Sequence, residues 1–89
     1  MKGRRVEWPA DWRDSQPGDY MKVPPDEGPH RPDGSPVWYI RDPAGNVGTL
    51  LTHTVEEHED GTITVSPSIL DPSPGGWHGW LERGVWRSV

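Results

Sequence analysis

Three times in its second half the chain spells the same short reversal. Pro43-Ala44-Gly45, Glu59-Asp60-Gly61 and Glu82-Arg83-Gly84 each place two helix-tolerant residues before a glycine, between runs rich in β-branched and aromatic residues. That spelling predicts a three-residue hairpin loop: a type I turn, then a left-handed residue that glycine adopts at least cost. The alternation around each loop then sets which side chains share a face. Around Gly45, Trp38 is expected opposite Leu50, and Ile40 opposite Gly48. Val37, Tyr39 and Leu51 take the other face. Around Gly61, Val55 is expected opposite Val65 and Glu57 opposite Ile63, with Val55, Ile63 and Val65 inward and His58, Glu56, Thr62 and Thr64 outward. Around Gly84, Leu81 is expected opposite Val85, and Trp80 opposite Trp86. Leu81, Val85, Trp77 and Val89 then share one face, and Trp80, Trp86 and His78 the other.

The distribution of apolar residues agrees with a β-fold in residues 37–89. Leu, Ile, Val and Phe number 15 of 89, and only Val6 and Val23 precede residue 37. Four of the six tryptophans lie in the same stretch and replace the missing Phe as core-formers. Residues 1–36 hold 7 of the 11 prolines, six basic and seven acidic residues. Runs such as Val23-Pro24-Pro25-Asp26-Glu27-Gly28-Pro29 cannot donate a regular ladder of hydrogen bonds. The expectation is an all-β domain over 37–89, a small antiparallel meander or partly closed barrel of about six short strands, preceded by a Pro-rich extended arm over 1–36. Trp8, Trp12 and Tyr20 either staple that arm to the domain or meet a partner. The capping-box spelling Thr54-Val55-Glu56-Glu57 is followed by no apolar periodic run and is read as strand.

Charge and chemistry exclude several functions. The formal net charge of −5 leaves no basic footprint for nucleic acid. No apolar run is long enough to span a membrane, and MKGRRVEWPADW lacks the apolar stretch of a secretory signal. There is no cysteine, which excludes a disulfide framework and Cys-type zinc sites. His53 and His58 flank Glu56 and Glu57 in an approximate inverted zinc-protease spelling with one residue too many, and on a strand the two histidines fall on opposite faces. Glu56, Glu57, Glu59 and Asp60 read as a charged hairpin end that discourages edge pairing. No nucleophile motif and no phosphate loop is present. No catalytic residue, metal ligand or cofactor is therefore expected. Trp77-His78-Gly79-Trp80-Leu81 is the most unusual segment. With Trp86 it is either core or a recognition surface, and Gly79 would let a partner backbone approach closely. The expected partner-binding residues are Trp80, Trp86, His78 and Trp77, with Trp8 and Trp12 from the arm. The arm is the other candidate to cover the outward Trp80, Trp86 and His78 face, and an uncovered face invites self-association.

The segment from Glu57 to Arg87 resembles a group of small actinobacterial phage and prophage proteins, and more distantly the family DUF6527. The matching residues are Asp60, Gly61, Thr62, Pro67, Ser68, Ile69, His78, Trp80, Gly84 and Trp86. Members of the larger family carry a Cys-rich segment before this hairpin, where the present chain has Leu50-Leu51-Thr52-His53. The resemblance implies a phage or mobile-element setting; joined to the aromatic face, it leads to the expectation of a non-enzymatic phage-encoded accessory protein that binds a virion component or a bacterial host factor, in the host cytoplasm or the virion. A small zinc-dependent or hydrolytic domain is the alternative it implies.

Overall fold

A computed structural model describes all of residues 1–89. The chain is all-β and forms two four-stranded sheets, each in sequence order. The first contains β1 (Arg4–Arg5), β2 (Asp19–Val23), β3 (Val37–Arg41) and β4 (Val47–Thr49). The second contains β5 (Thr54–Glu57), β6 (Ile63–Leu70), β7 (His78–Glu82) and β8 (Val85–Ser88). Every pairing is antiparallel except β1 with β2. One core draws on both sheets: Tyr20, Trp38, Ile40 and Leu50 from the first, and Ile63, Val65, Ile69, Leu81 and Trp86 from the second. The sheets do not close into a barrel, and no helix is long and apolar enough to cross a membrane.

Residues 1–36 are more than an arm. They supply β1 and β2, making eight strands rather than six, and Tyr20, Met21 and Val23 are buried. Proline excludes ladder pairing only where it stands, and Asp19–Val23 contains none. Residues 1–6 also stitch the sheets together. The Gly3 amide donates to Gly84 O, the Trp86 amide to Met1 O, and the Met1 amine to Trp86 O, so this segment covers the outer edge of β8. Beyond it the Arg4 and Val6 amides donate to Gly18 O and Tyr20 O. Arg5 lies over the Trp38 ring at 5.3 Å, and Arg5 and Lys22 both ion-pair with Glu57 of β5. Arg4 forks onto the buried Asp19 carboxylate at 2.7 and 3.1 Å.

Two of the three loops take the expected form. Gly45 and Gly61 have φ of 93° and 86°, and their amides donate to Asp42 O and His58 O. The registers follow, with Ile40 opposite Gly48 and Val55 opposite Val65. The third loop is shorter by one residue. Glu82 pairs with Val85, and Arg83 and Gly84 turn the chain with φ of 46° and 76°, a type I′ geometry. That turn matches the right-handed twist of its strands, and β6 supports it: the Arg83 amide donates to Thr64 Oγ1 and the Gly84 amide to Ile63 O. The slip places Trp86 opposite Leu81, so it buries the largest side chain of the hairpin. Arginine is a poor choice at positive φ. Arg83→Asn is expected to raise stability by about 0.5 kcal/mol, read as a higher denaturant midpoint with unchanged slope.

β6 differs from expectation too. Pro67 does not end the strand. The ladder with β7 is irregular between Val65 and Ile69 and then resumes. Ile69 enters the core as expected, but Leu70 points out and is 64% exposed.

Candidate functional site

The one-residue slip at Gly84 dismantles the tryptophan surface expected from the sequence. Trp86 is buried. Its indole N–H donates to Gly18 O at 2.9 Å, and its ring meets Trp77 edge-on at 5.4 Å. Trp77 is half-buried against the core. Gly79 faces inward, where a Cβ would clash first with the Arg87 carbonyl of β8 and then with the Trp77 ring, so its missing side chain serves packing within the protein rather than the approach of a partner. Trp8 is half-buried beside Gly28. Trp12 is half-buried in a 3-10 turn over Trp12–Asp14, and its carbonyl accepts from Arg41 and Ser15. Trp8 sits by Gly28 and Trp12 lines a pocket with Arg4, Val6 and Ala10, so neither covers the outer face of β7.

Trp80 and His78 do point outward, on the face of the second sheet opposite the core. Trp80 is 39% exposed, with Arg87 across from it on β8. His78 lies opposite Leu70, and its Nε2 is 3.1 Å from Ser68 Oγ. The apolar part of this face is Trp80 and Leu70 with Val85 and Val89, which the shorter loop turns outward instead of placing them with Leu81. The rest is a polar basin of Glu56, His58, Thr64, Glu82, Arg83 and Arg87. In it His58 Nε2 is 2.7 Å from Thr64 Oγ1, and Arg87 ion-pairs with Glu82.

A second feature lies where the sheets part. A cleft of about 210 Å³ opens between β4 and the end of β6. It is lined by Ile40, Gly48 and Leu50 from one sheet and Ile69 from the other, with Asp42 and Asp71 among its polar lining. Asp42 follows β3 and Asp71 follows β6, and each precedes a proline. That shared Asp-Pro spelling is a turn signal in the sequence, but nothing local says the two turns meet. The Asp71 carboxylate accepts from the Ser73 amide and hydroxyl and, at 2.6 Å, from Asn46 Nδ2, so the loops after β3 and β6 are tied together.

The two carboxyls titrate in opposite directions. Ser73 foremost, then Asn46 and Asp42, hold Asp71 well below the usual carboxylate range. Burial foremost, with the Asp71 charge, pushes Asp42 up against the lowering effect of the Asn46 amide. As pH falls, Asp42 therefore takes up a proton before Asp71 does. Glu57, held down chiefly by Lys22, and Asp60, held down by Thr62, behave like Asp71. For these lowered groups stability is present above the ordinary carboxylate range and is lost as pH falls through it toward their folded values. For Asp42 the sign reverses: its contribution is complete below the ordinary range and is lost as pH rises through its raised value. Asp42→Asn keeps a neutral group that accepts from Asn46 and donates to Asp71. The variant is expected to gain melting temperature over the parent on going from about pH 4 to about pH 7, measured by circular dichroism. A constant difference across that range would contradict it.

No three histidine or carboxylate side chains converge so as to hold a metal ion. His53, His58 and His78 contact Ser68 O, Thr64 Oγ1 and Ser68 Oγ instead.

No family model, curated protein or solved structure matches the chain.

Proposed function

We propose that this is a non-enzymatic protein-binding module that presents the outer face of its second sheet, centred on Trp80, to another protein. The observation that supports this most directly is Trp80 itself. It is a large aromatic left 39% exposed on a strand paired on both sides, in a chain that buries its other hairpin tryptophan. Tryptophans held rigidly at a surface are enriched among residues that dominate binding energy, and they lose little conformational freedom on docking. Leu70 and Arg87 give that anchor an apolar and a cationic flank. The opposed titration of Asp42 and Asp71 is compatible with acid–base work, but Asp42 holds its own turn through the Asn46 amide and Asp71 ties two loops together, which favours a structural role.

The setting proposed is a phage-encoded accessory protein, with a virion component or a bacterial host factor as partner, in the host cytoplasm or the virion. It rests on the resemblance of residues 57–87 to phage proteins and DUF6527. The test is affinity capture from infected-cell lysate with Trp80→Ala as control. Trp80→Ala is expected to change stability by about 1 kcal/mol or less, while abolishing capture of the partner that the parent retains. Capture that survives Trp80→Ala would overturn this reading. Stoichiometric zinc in the purified protein, lost in His58→Ala or His78→Ala, would favour the zinc-dependent alternative.

A further inference from the structure

We infer that the inter-sheet cleft is a second docking site, for an extended segment of a partner protein that adds to the free edge of β4 and extends an arginine toward Asp71. Three observations meet there. The first is the backbone. Leu50 N donates to Trp38 O and Asp42 N to Asn46 O, so the residues of β4 that exchange hydrogen bonds with β3 alternate through Gly48. The amides and carbonyls of Val47 and Thr49 therefore point away from β3, toward a side where no strand pairs. The other outer edges differ. Residues 1–3 cover β8, and β5 carries Glu56 and Glu57. β4 carries neither cover nor charge, only Val47, Gly48 and Thr49, and an edge of that kind is where strand addition occurs.

The second observation is space. Gly48 shares a face with buried Ile40, and a Cβ built on it would meet nothing within 4 Å. The absent side chain opens the cleft at the end of the core. At about 210 Å³ the cleft is smaller than the pockets that take drug-sized ligands, and it suits one long side chain.

The third is charge. Asp71 is ionised, accepts only from neutral groups and has no salt bridge. His53 also lines the cleft. Its Nε2 lies 3.1 Å from Ser68 O, and its Nδ1 is buried without a hydrogen-bond partner. The Asp71 carboxylate, with no cationic partner of its own, matches the forked N–H donors of a guanidinium better than the point charge of an ammonium. A second copy of the chain would bring its own acidic cleft to the same place, and the net charge of −5 opposes that pairing.

The probe is the peptide acetyl-Thr-Val-Arg-Val-Thr-amide, titrated into the full chain with amide chemical shifts as readout. Saturable shifts are expected at Val47, Gly48 and Thr49, with affinity about tenfold above that of the peptide with norleucine in place of arginine. Asp71→Asn should erase that difference. Gly48→Leu, which fills the cleft, should weaken both peptides. Should Gly48→Leu disturb the fold, Thr49→Pro removes an outward amide that β3 does not use, and it should do the same. Trp80→Ala should leave the titration unchanged, which separates this site from the outer face. Equal binding of the arginine and norleucine peptides would overturn the inference. So would shifts confined to Asp42 and Asp71 that guanidinium chloride alone reproduces, or β4 resonances that broaden with protein concentration and no peptide.

Discussion

Trp86→Ala is expected to lower stability by about 3–5 kcal/mol, a large part of what an 89-residue domain holds. The cost has three sources. The indole is 2% exposed in a core shared by both sheets, so its removal leaves a cavity that strands on each side cannot fill. Trp77 loses the ring it meets edge-on, together with the gain of that aromatic pair. Gly18 O loses its indole donor in a buried place. Trp86→Phe separates these contributions. It retains most of the apolar area but not the N–H, and should cost about 1–3 kcal/mol. Urea denaturation of both variants checks the order. The same substitution at Trp80 should be nearly neutral, although the two residues lie on one hairpin. A Trp86→Ala variant as stable as the parent would mean that the hairpin pairs one residue away from the register described here.

Deletion of residues 1–5 is expected to be comparably severe. It removes β1, the fork from Arg4 to Asp19, and the backbone bonds that join Gly3 and Met1 to Gly84 and Trp86. It also removes Arg5, which lies over Trp38 and reaches Glu57. The buried Asp19 carboxylate would then keep only the Gln16 amide as donor. A loss of about 1–3 kcal/mol follows from leaving that carboxylate short of partners, before the lost strand is counted. The outer edges of β2 and β8 would be bared together, so the truncated protein should also self-associate. Thermal melts and analytical ultracentrifugation of the truncated and full chains read the two effects separately. Arg4→Ala and Arg5→Ala, which keep the backbone, should show the stability loss in part and the association hardly at all.

How far the sequence could be read depended on whether the deciding interaction was local. Gly45 and Gly61 set their loops through their own backbone geometry, and the faces of Trp38, Ile40, Leu50, Ile63 and Val65 followed by alternation. Arg83 concealed a two-residue turn. A type I′ loop is normally signalled by Asn-Gly or Asp-Gly, and here β6 and the burial of Trp86 outweigh an unfavourable arginine. β2 was hidden because, of its buried apolar residues Tyr20, Met21 and Val23, only Val23 enters a count of Leu, Ile, Val and Phe. The sequence reading placed Trp80, His78 and Trp86 outward together; the structure keeps Trp80 and His78 there and buries Trp86. The cleft could not be read at all. Asp42, Gly48 and Asp71 look like turn and strand residues in isolation, and only the meeting of two sheets gives them a common environment.

The stitch between residues 1–6 and both sheets bears on the order of folding. Apart from the parallel β1–β2 pair, each sheet is a run of neighbouring antiparallel strands that can form quickly from short segments. Their joining along β8 must wait until residues 84–86 are available to meet residues 1–3. During synthesis the early half would therefore leave the ribosome with an unzipped seam. The measurable sign is a slow refolding phase that titrates with Trp86 fluorescence and vanishes from a permuted chain in which residues 1–6 directly follow residue 89.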